Sequence, residues 1–205
     1  MISTWRPLIG LVLFLGVLCW RSWWQRHRYG SPGVLFFRSR RWQEKLRDAL
    51  GAVLVLLLIS QAIIAAVWPQ LLAPLDATHH AAAEIWQVAG TVLLFGGIAL
   101  LVGAQLNLGA SWRIGIEEDS SPGLVTSGFY RFCRNPIFVA ILILLTGYTL
   151  LLPTRLSPAL LVGAFIGIRQ QVLTEEAYLS RAYGDAYRAY ARRVGRFLPG
   201  IGRLR

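Results

Sequence analysis

The chain has 205 residues, of which 55% are hydrophobic and 15% are charged, and its mean hydropathy is +0.51. Soluble domains carry roughly 25% charged residues, so this composition excludes an ordinary water-soluble fold. In a soluble protein the net charge of +11 would suggest nucleic acid binding, but here the arginines cluster beside apolar runs. The composition therefore predicts an integral membrane protein whose partner is the bilayer, with no nucleic acid.

Three apolar runs are long enough to cross a bilayer, which takes ~20 helical residues because every backbone group must be bonded internally in hydrocarbon. They are residues 7–24, 49–68 and 85–106. The first run could pass for a signal-peptide core, but tryptophans stand where a cleavage site needs small residues, so we expect a retained helix. Glycines in the third run, and the pair Gly163 and Gly167, are typical of closely packed membrane helices.

Two shorter apolar runs, residues 136–152 and 157–173, flank a turn at residues 153–156. They predict a short helical hairpin in which each arm covers ~25 Å. From Glu175 onward, apolar residues recur at helical spacing opposite arginines, which predicts a separate amphipathic helix at the membrane surface. The predicted fold is all-α: about five transmembrane helices, the last two forming the short hairpin, followed by a C-terminal amphipathic helix.

Positive charges are divided unevenly between the connections. Residues 21–48 contain eight arginines and lysines, and eight more arginines are found from Arg169 to the end, whereas residues 69–84 contain neither. By the positive-inside rule, the first connection, the third connection and the C-terminus face the cytoplasm, and the N-terminus faces outside. We expect this topology in the inner (plasma) membrane of a bacterium.

No disulfide and no metal site are expected. The two cysteines, Cys19 and Cys133, lack metal-ligand spacing, and Cys19 lies in an apolar run, where a thiol packs as a small hydrophobic group. The adjacent histidines His79 and His80 lie in the predicted external loop, and neighbours in sequence do not share a helix face.

A polar, glycine-rich segment, residues 106–138, precedes the hairpin on the predicted cytoplasmic face. It begins an ordered series of blocks: Leu108-Gly109 with Trp112, LVTSGFYRFCRNP at residues 124–136, EEAYLSRAYGDAYRAY at residues 175–190, and Arg196-Phe197 with Pro199. Through these blocks, residues 106–199 resemble the isoprenylcysteine carboxyl methyltransferase family and its bacterial phospholipid methyltransferase relatives. We therefore divide the chain into N-terminal membrane helices, residues 1–105, and a catalytic region, residues 106–205.

The resemblance implies a methyltransferase that uses S-adenosylmethionine, bound in a cytoplasmic pocket capped by the loop before the hairpin and by the C-terminal segment. It assigns the cofactor to the side chains of Leu124, Val125, Tyr130, Asn135, Pro136, Ile137, Phe138 and Glu175. Among these, Glu175 is implied to bind the amino group of the cofactor. The implied substrate is a lipophilic, isoprenoid or phospholipid-like molecule that is methylated on a carboxylate or an amine.

The chain departs from the family pattern at several positions. Many members have histidine in place of Asn135 and tyrosine in place of Phe138, and the substrate-facing arginine one turn before the first glutamate is Gln171 here. Arg169 lies two residues earlier, on a different helix face. Arg134, Arg169 and Gln171 are therefore the candidates for catalysis and for contact with the substrate.

Several candidates have a purely structural alternative. Arg134 and Arg169 could reach toward lipid phosphate as interfacial arginines. Glu175 and Glu176 could stabilise the start of the last helix through its dipole.

Two other functions fit the sequence. One is a membrane reductase or isomerase of sterols or polyprenoids, whose families share a similar hairpin and arginine-x-proline block, and the other is a scaffold without enzymatic activity. If the protein is a methyltransferase, the predicted cytoplasmic blocks contain no histidine that could serve as a base. This favours a carboxylate, or an already neutral amine, as the methyl acceptor.

The charge distribution predicts that reporters fused after Arg41, after Ser120 and at Arg205 are cytoplasmic, while a reporter fused near Thr78 is external. The reason is the contrast between the positively charged first connection and the second, which has no arginine or lysine. Paired alkaline phosphatase and fluorescent protein fusions would measure this. A cytoplasmic signal at Thr78 would contradict the topology.

Overall fold

The computed structural model describes residues 2–30, 42–75, 84–112 and 123–204. This part of the chain contains five α-helices: α1, Ile2–Tyr29; α2, Trp42–Val67; α3, Glu84–Leu108; α4, Pro136–Leu151; and α5, Leu156–Arg193. Three short 3-10 helices lie between them, at Pro69–Leu75, Gly109–Ser111 and Gly128–Arg131. The predicted all-α fold is confirmed, while the predicted external loop with His79 and His80 lies outside the described residues.

Among the described helices, α1, α2, α3 and α5 are each long and apolar enough to cross a membrane. The fourth, α4, is apolar but has only 16 residues, so it covers ~24 Å. Pro136 occupies its first turn, where the missing N–H would have had no helical partner. The count of about five crossings therefore includes one short helix, as the length of its apolar run predicts.

The chain after the hairpin turn differs from the prediction. The turn itself is confirmed, because α4 ends at Leu151 and α5 begins at Leu156. The second arm, however, does not end at Leu173, because the helix runs on past Glu175 to a kink at Gly184, and α5 as a whole ends at Arg193. No glycine or proline interrupts the chain where the sequence changes from apolar to amphipathic, so the helix has no reason to stop there. The predicted amphipathic helix is the C-terminal half of α5.

A break in α5 occurs at Gly184, whose φ of 52° and ψ of −126° are outside the helical region and suit glycine alone. Beyond this kink, Tyr187 and Tyr190 are buried and pack with Leu179 and Leu124. The apolar face predicted for this segment therefore exists, but it packs against the loop before α4 instead of lying in lipid.

The antiparallel helices α3 and α4 approach each other at their backbones. A Cβ atom placed on Gly147 would lie 2.6 Å from the carbonyl oxygen of Gly90, and one on Gly97 would lie 2.9 Å from that of Ala140. Such distances leave no room for a side chain. The close packing predicted from the glycines of the third helix is confirmed at Gly90 and Gly97.

Successive connections between the helices lie at alternate ends of the bundle. Arg21, near the end of α1, donates a hydrogen bond from Nη2 to the carbonyl oxygen of Gly109, just after α3. At the other end, the backbone N–H of Arg155 in the hairpin turn donates to the carbonyl oxygen of Leu75 at 2.8 Å. This alternation agrees with the charge-based topology, and the assignment of one end to the cytoplasm stays a prediction.

We expect Gly147→Leu to destabilise the fold by at least ~1–3 kcal/mol, because the added side chain would meet the rigid backbone of α3. Thermal unfolding in detergent would measure the loss. Gly96→Leu is the matched control, since a Cβ at this exposed glycine of α3 meets nothing within 4 Å. Similar losses in both variants would show that the loss at Gly147 does not come from close packing between α3 and α4.

Candidate functional site

A cavity of about 1510 Å³ lies among α2, α4 and α5 and extends to the loop that precedes α4. The cavity is lined by most of the residues predicted from the resemblance: Leu124, Val125, Tyr130, Arg134, Asn135, Ile137, Phe138, Gln171 and Glu175. Its walls along α2 and α4 are largely apolar, whereas the loop end is polar. The structure therefore brings these residues together around one amphipathic space.

Two predicted site residues do not line the cavity. Pro136 is buried at the first turn of α4, where its role is structural. Arg169 lies on an exposed face of α5. The structure thus places neither residue where a ligand in the cavity would meet it.

Glu175 lies on the face of α5 that borders the cavity. Gln171, one turn earlier, donates from Nε2 to Oε1 of Glu175 at 2.6 Å. Burial, and then the negative charge of Glu175, raise the pKa of Tyr130 well above its ordinary value, so its hydroxyl stays protonated. The interpretation of Glu175 and Glu176 as helix-start residues is wrong, because both lie well inside α5.

Glu176 points away from the cavity into an ion-pair cluster, which we call the Arg134–Glu176–Arg196 clamp. Its Oε1 accepts a hydrogen bond from Nη2 of Arg134 at 2.7 Å, and its Oε2 accepts one from Nη2 of Arg196 at 2.8 Å. Arg134 also donates to the carbonyl oxygens of Ala191 and Val194. Since Arg134 is only 6% exposed, its interpretation as an interfacial arginine in contact with lipid is wrong.

The clamp joins three segments of the chain: the loop before α4, the middle of α5 and the C-terminal segment after α5. Backbone contacts follow the same path, since the N–H of Arg134 donates to the carbonyl oxygen of Gly195 at 2.9 Å. Beside it, Nδ2 of Asn135 donates to the carbonyl oxygen of Arg196 at 3.1 Å. The clamp therefore positions Asn135 at the cavity and holds the C-terminal segment against the loop.

The turn at Gly128–Arg131 is fixed from two sides. The hydroxyl of Tyr190 on α5 donates to the carbonyl oxygen of Tyr130 at 2.6 Å. From α3, Oδ1 of Asn107 accepts a hydrogen bond from the N–H of Phe129 at 2.7 Å. Both contacts hold Tyr130 in the cavity wall.

Two polar residues of the cavity wall that sequence reasoning missed are Gln105 and Arg47. Gln105 on α3 is buried, and neither Oε1 nor Nε2 has a hydrogen-bond partner among the described residues. Arg47 on α2 lines the cavity, and its Nη1 donates to Oγ1 of Thr174 on α5 at 3.4 Å. A polar residue inside an apolar membrane helix was the available signal for Gln105.

Gly163 and Gly167 also have a role other than the predicted one. Both line the cavity, and a Cβ atom on Gly167 would meet nothing within 4 Å. Near Gly163 the nearest side-chain atom belongs to Leu54 of α2, at 3.6 Å. The prediction of tight helix packing at this pair is wrong, because the missing side chains widen the space between α2 and α5.

The fold and the cavity define a class: an α-helical membrane protein in which an apolar groove meets a polar, charged loop. The family described as phospholipid methyltransferase matches residues 85–186, so this segment of the chain is similar to that family. The predicted resemblance is thereby confirmed. The match includes α3, which the predicted division at residue 105 had separated from the catalytic region.

Among similar curated proteins are the protein-S-isoprenylcysteine O-methyltransferases of Schizosaccharomyces pombe and Dictyostelium discoideum, 29% and 25% identical over 123 and 124 residues. Each match covers 58% of this chain and 51% of the relative. Protein-S-isoprenylcysteine O-methyltransferase A of Arabidopsis thaliana is 30% identical over 57% of this chain and 61% of its own length. The chain thus spans about half to three fifths of the length of these relatives.

A solved structure with a similar fold is that of the eukaryotic intramembrane Ras methyltransferase ICMT, isoprenylcysteine carboxyl methyltransferase. The TM-score is 0.52 at 19% sequence identity, over 97% of this chain and 88% of the other. At this identity the comparison shows a shared fold.

We expect Glu176→Gln to destabilise the protein by about 3–5 kcal/mol, because it leaves Arg134 buried without a countercharge. Thermal unfolding in detergent is the measurement. Asp185→Asn is the control on the same helix, because it breaks the exposed pair with Arg188, which contributes little. Comparable stability of the two variants would refute the structural importance of the clamp.

Proposed function

We propose that the chain is a membrane-embedded methyltransferase that uses S-adenosylmethionine to methylate the carboxylate or amine of a lipophilic, isoprenoid or phospholipid-like substrate. The observation that supports this most directly is the amphipathic cavity, whose polar end at residues 123–135 continues into apolar walls from α2 and α5. A charged cofactor and an apolar chain could therefore meet in one space. The names of the curated relatives, which are O-methyltransferases of isoprenylcysteine, agree with this proposal.

The residues at the polar end suit the chemistry of the cofactor. The carboxylate of Glu175 can accept hydrogen bonds from the cofactor's ammonium group, while Asn135 and Tyr130 can serve its polar oxygens. Leu124 and Val125 offer apolar surface in the same wall. The cofactor supplies an electrophilic methyl group bound to a sulfonium, and the protein would position this group next to the acceptor.

In this proposal, the protein positions and desolvates the reacting groups. Gln171 orients the carboxylate of Glu175 through its hydrogen bond, and the clamp fixes the loop that carries Asn135. The cavity would hold the acceptor oxygen or nitrogen of the substrate close to the methyl group that a bound cofactor would supply, so proximity and orientation would be the protein's main contribution. Because no described residue of the cavity wall is a histidine, an acceptor that needs no deprotonation suits the site best.

Arg47, and not Arg169, is the arginine placed to bind an acidic group on the acceptor. Arg47 lines the cavity and reaches Thr174, the residue before Glu175, whereas Arg169 is exposed outside the cavity. Gln171, which stands at the family's arginine position, lines the same wall. The positive charge that α5 lacks at this position is thus supplied from α2. Arg134 is a positioning residue, because its guanidinium is engaged in the clamp.

The proposal is tested with protein purified in detergent. Tight binding of S-adenosylhomocysteine, together with transfer of labelled methyl groups to a lipid extract, is the expected result. Binding of a nicotinamide cofactor in its place would favour the reductase alternative. Binding of neither would favour a scaffold.

We expect Glu175→Gln to weaken binding of S-adenosylhomocysteine roughly 10- to 150-fold, because a charge-assisted hydrogen bond of about 1.5–3 kcal/mol is lost. Isothermal titration calorimetry would measure this. Asp185→Asn removes an exposed carboxylate from the same helix and should leave the affinity unchanged. Equal affinity of both variants would exclude Glu175 as a cofactor ligand.

We expect Arg47→Gln to raise KM for an acidic lipid acceptor roughly tenfold, with little change in affinity for S-adenosylhomocysteine, because the lost charge serves the acceptor alone. Initial rates over a range of acceptor concentrations are the measurement. Arg169→Gln is the matched control and should behave as the wild type. An increase in KM for Arg169→Gln only would reverse the two assignments.

A further inference from the structure

Gln105 stands apart from the other buried glutamines in the described ranges. Gln25 donates from Nε2 to the carbonyl oxygen of Ala110, and Gln61 donates from Nε2 to Oγ of Ser157. Gln105 is 1% exposed, yet both polar atoms of its amide lack a partner within the described chain. In an apolar membrane helix, an amide without hydrogen bonds is strongly unfavourable, so its presence indicates a ligand that supplies the missing bonds.

The amide lies in the wall of the candidate cavity, at its polar end. Gly97 of α3 packs against Ala140 of α4, and Gln105 lies about two turns further along α3, which brings it level with the loop before α4. The neighbouring wall of the cavity includes Leu108 and Trp112. Gln105 therefore faces the space next to the loop before α4, in the part of the cavity where we propose that the cofactor binds.

The two unpaired atoms restrict the chemistry of that ligand. A carboxylate or phosphate would satisfy only the Nε2 donor, and an ammonium group would satisfy only the Oε1 acceptor. An adenine edge presents an amino donor beside a ring-nitrogen acceptor and so satisfies both, as glutamine does when it binds adenine in nucleic acids. The side chain of Leu108 offers apolar surface for a flat ring in the same wall, beside Trp112, whose indole packs against the guanidinium of Arg21.

From this geometry we infer that Gln105 binds the adenine of the cofactor, with Nε2 donating to a ring nitrogen and Oε1 accepting from the amino group. The inference rests on the proposed function and deepens it. Adenine would be held from α3 while Glu175 holds the ammonium group from α5, so opposite ends of one ligand would bridge two helices. At the edge formed by the amino group and N7, Gln105 would also select adenine over a 6-oxo purine, which presents two acceptors there.

The test compares Gln105→Leu with Gln87→Leu. Gln87 lies on the same helix and also has an unpaired Oε1, but it does not line the cavity. Each variant is titrated with S-adenosylhomocysteine and with S-inosylhomocysteine, in which an oxo group replaces the amino group of adenine. We expect Gln105→Leu to bind S-adenosylhomocysteine roughly 10- to 100-fold more weakly and to lose the wild-type preference for adenine. Gln87→Leu should keep both properties.

A stability measurement separates ligand binding from a structural role. Without ligand, Gln105→Leu should be at least as stable as the wild type, because the substitution removes an unpaired amide from the interior. Gln105→Met, whose length matches glutamine, repeats the measurement with different packing. If both variants lose stability but keep the preference for adenine, Gln105 is a structural residue and the inference is wrong.

The same titrations distinguish a failure of the proposed function from a failure of the assignment of Gln105. Wild-type protein that binds neither homocysteine derivative would overturn the proposed function itself. Wild-type protein that binds S-adenosylhomocysteine with the same affinity and selectivity as Gln105→Leu would overturn only the assignment of Gln105.

Discussion

The geometry of the site depends on the two ion pairs that the buried carboxylate of Glu176 forms. Charges inside a protein are tolerated only when partners compensate them, and Glu176 is compensated by Arg134 from the loop before α4 and by Arg196 from the C-terminal segment. Three segments that are distant in sequence must therefore meet at one point of α5. Once they meet, Asn135 is held at the cavity, and the C-terminal segment is held against the loop. Because successive helical residues are ~100° apart, fixing Glu176 in this cluster also leaves Glu175 facing the cavity.

The short length of α4 gives the site its position in the bilayer. A helix of 16 residues covers ~24 Å, whereas the hydrocarbon core is ~30 Å thick. If α4 crosses the bilayer, the polar loop at residues 123–135 would lie near the edge of the hydrocarbon core. Between α2 and α5, the small residues Gly163 and Gly167 keep the cavity open beside apolar walls. The polar end and the apolar groove are thus direct consequences of helix length and of side-chain size.

The sequence predicted the helices well because hydrophobic length is a local property. The bounds of α3 and α4 differ from the apolar runs by only a few residues, and the hairpin turn lies where it was expected. The continuity of α5 was missed, because a change from apolar to amphipathic sequence does not itself end a helix. The sequence could not show whether Glu175 or Glu176 faces the cavity, or which arginine reaches it. Both depend on how distant segments of the chain pack together. For that reason the family blocks indicated Glu175 correctly as a residue of the cavity, but they could not indicate Arg47.

The similarity to the family covers only part of the cavity wall, because the wall is built from residues inside and outside the matched segment. Glu175, Tyr130 and Gln105 all lie within residues 85–186, the segment that matches the family. Arg47 and the apolar residues of α2 that complete the groove lie before it. In the proposed methyltransferase, the shared segment would bind the cofactor, whose structure is the same for every acceptor. The charge that meets the acceptor headgroup would come from Arg47 of α2, which lies outside the matched segment, whereas the width of the groove depends on Gly163 and Gly167 of α5, which lie inside it. Relatives of similar fold could then share one methyl-transfer chemistry while α2 determines which lipid headgroup can enter.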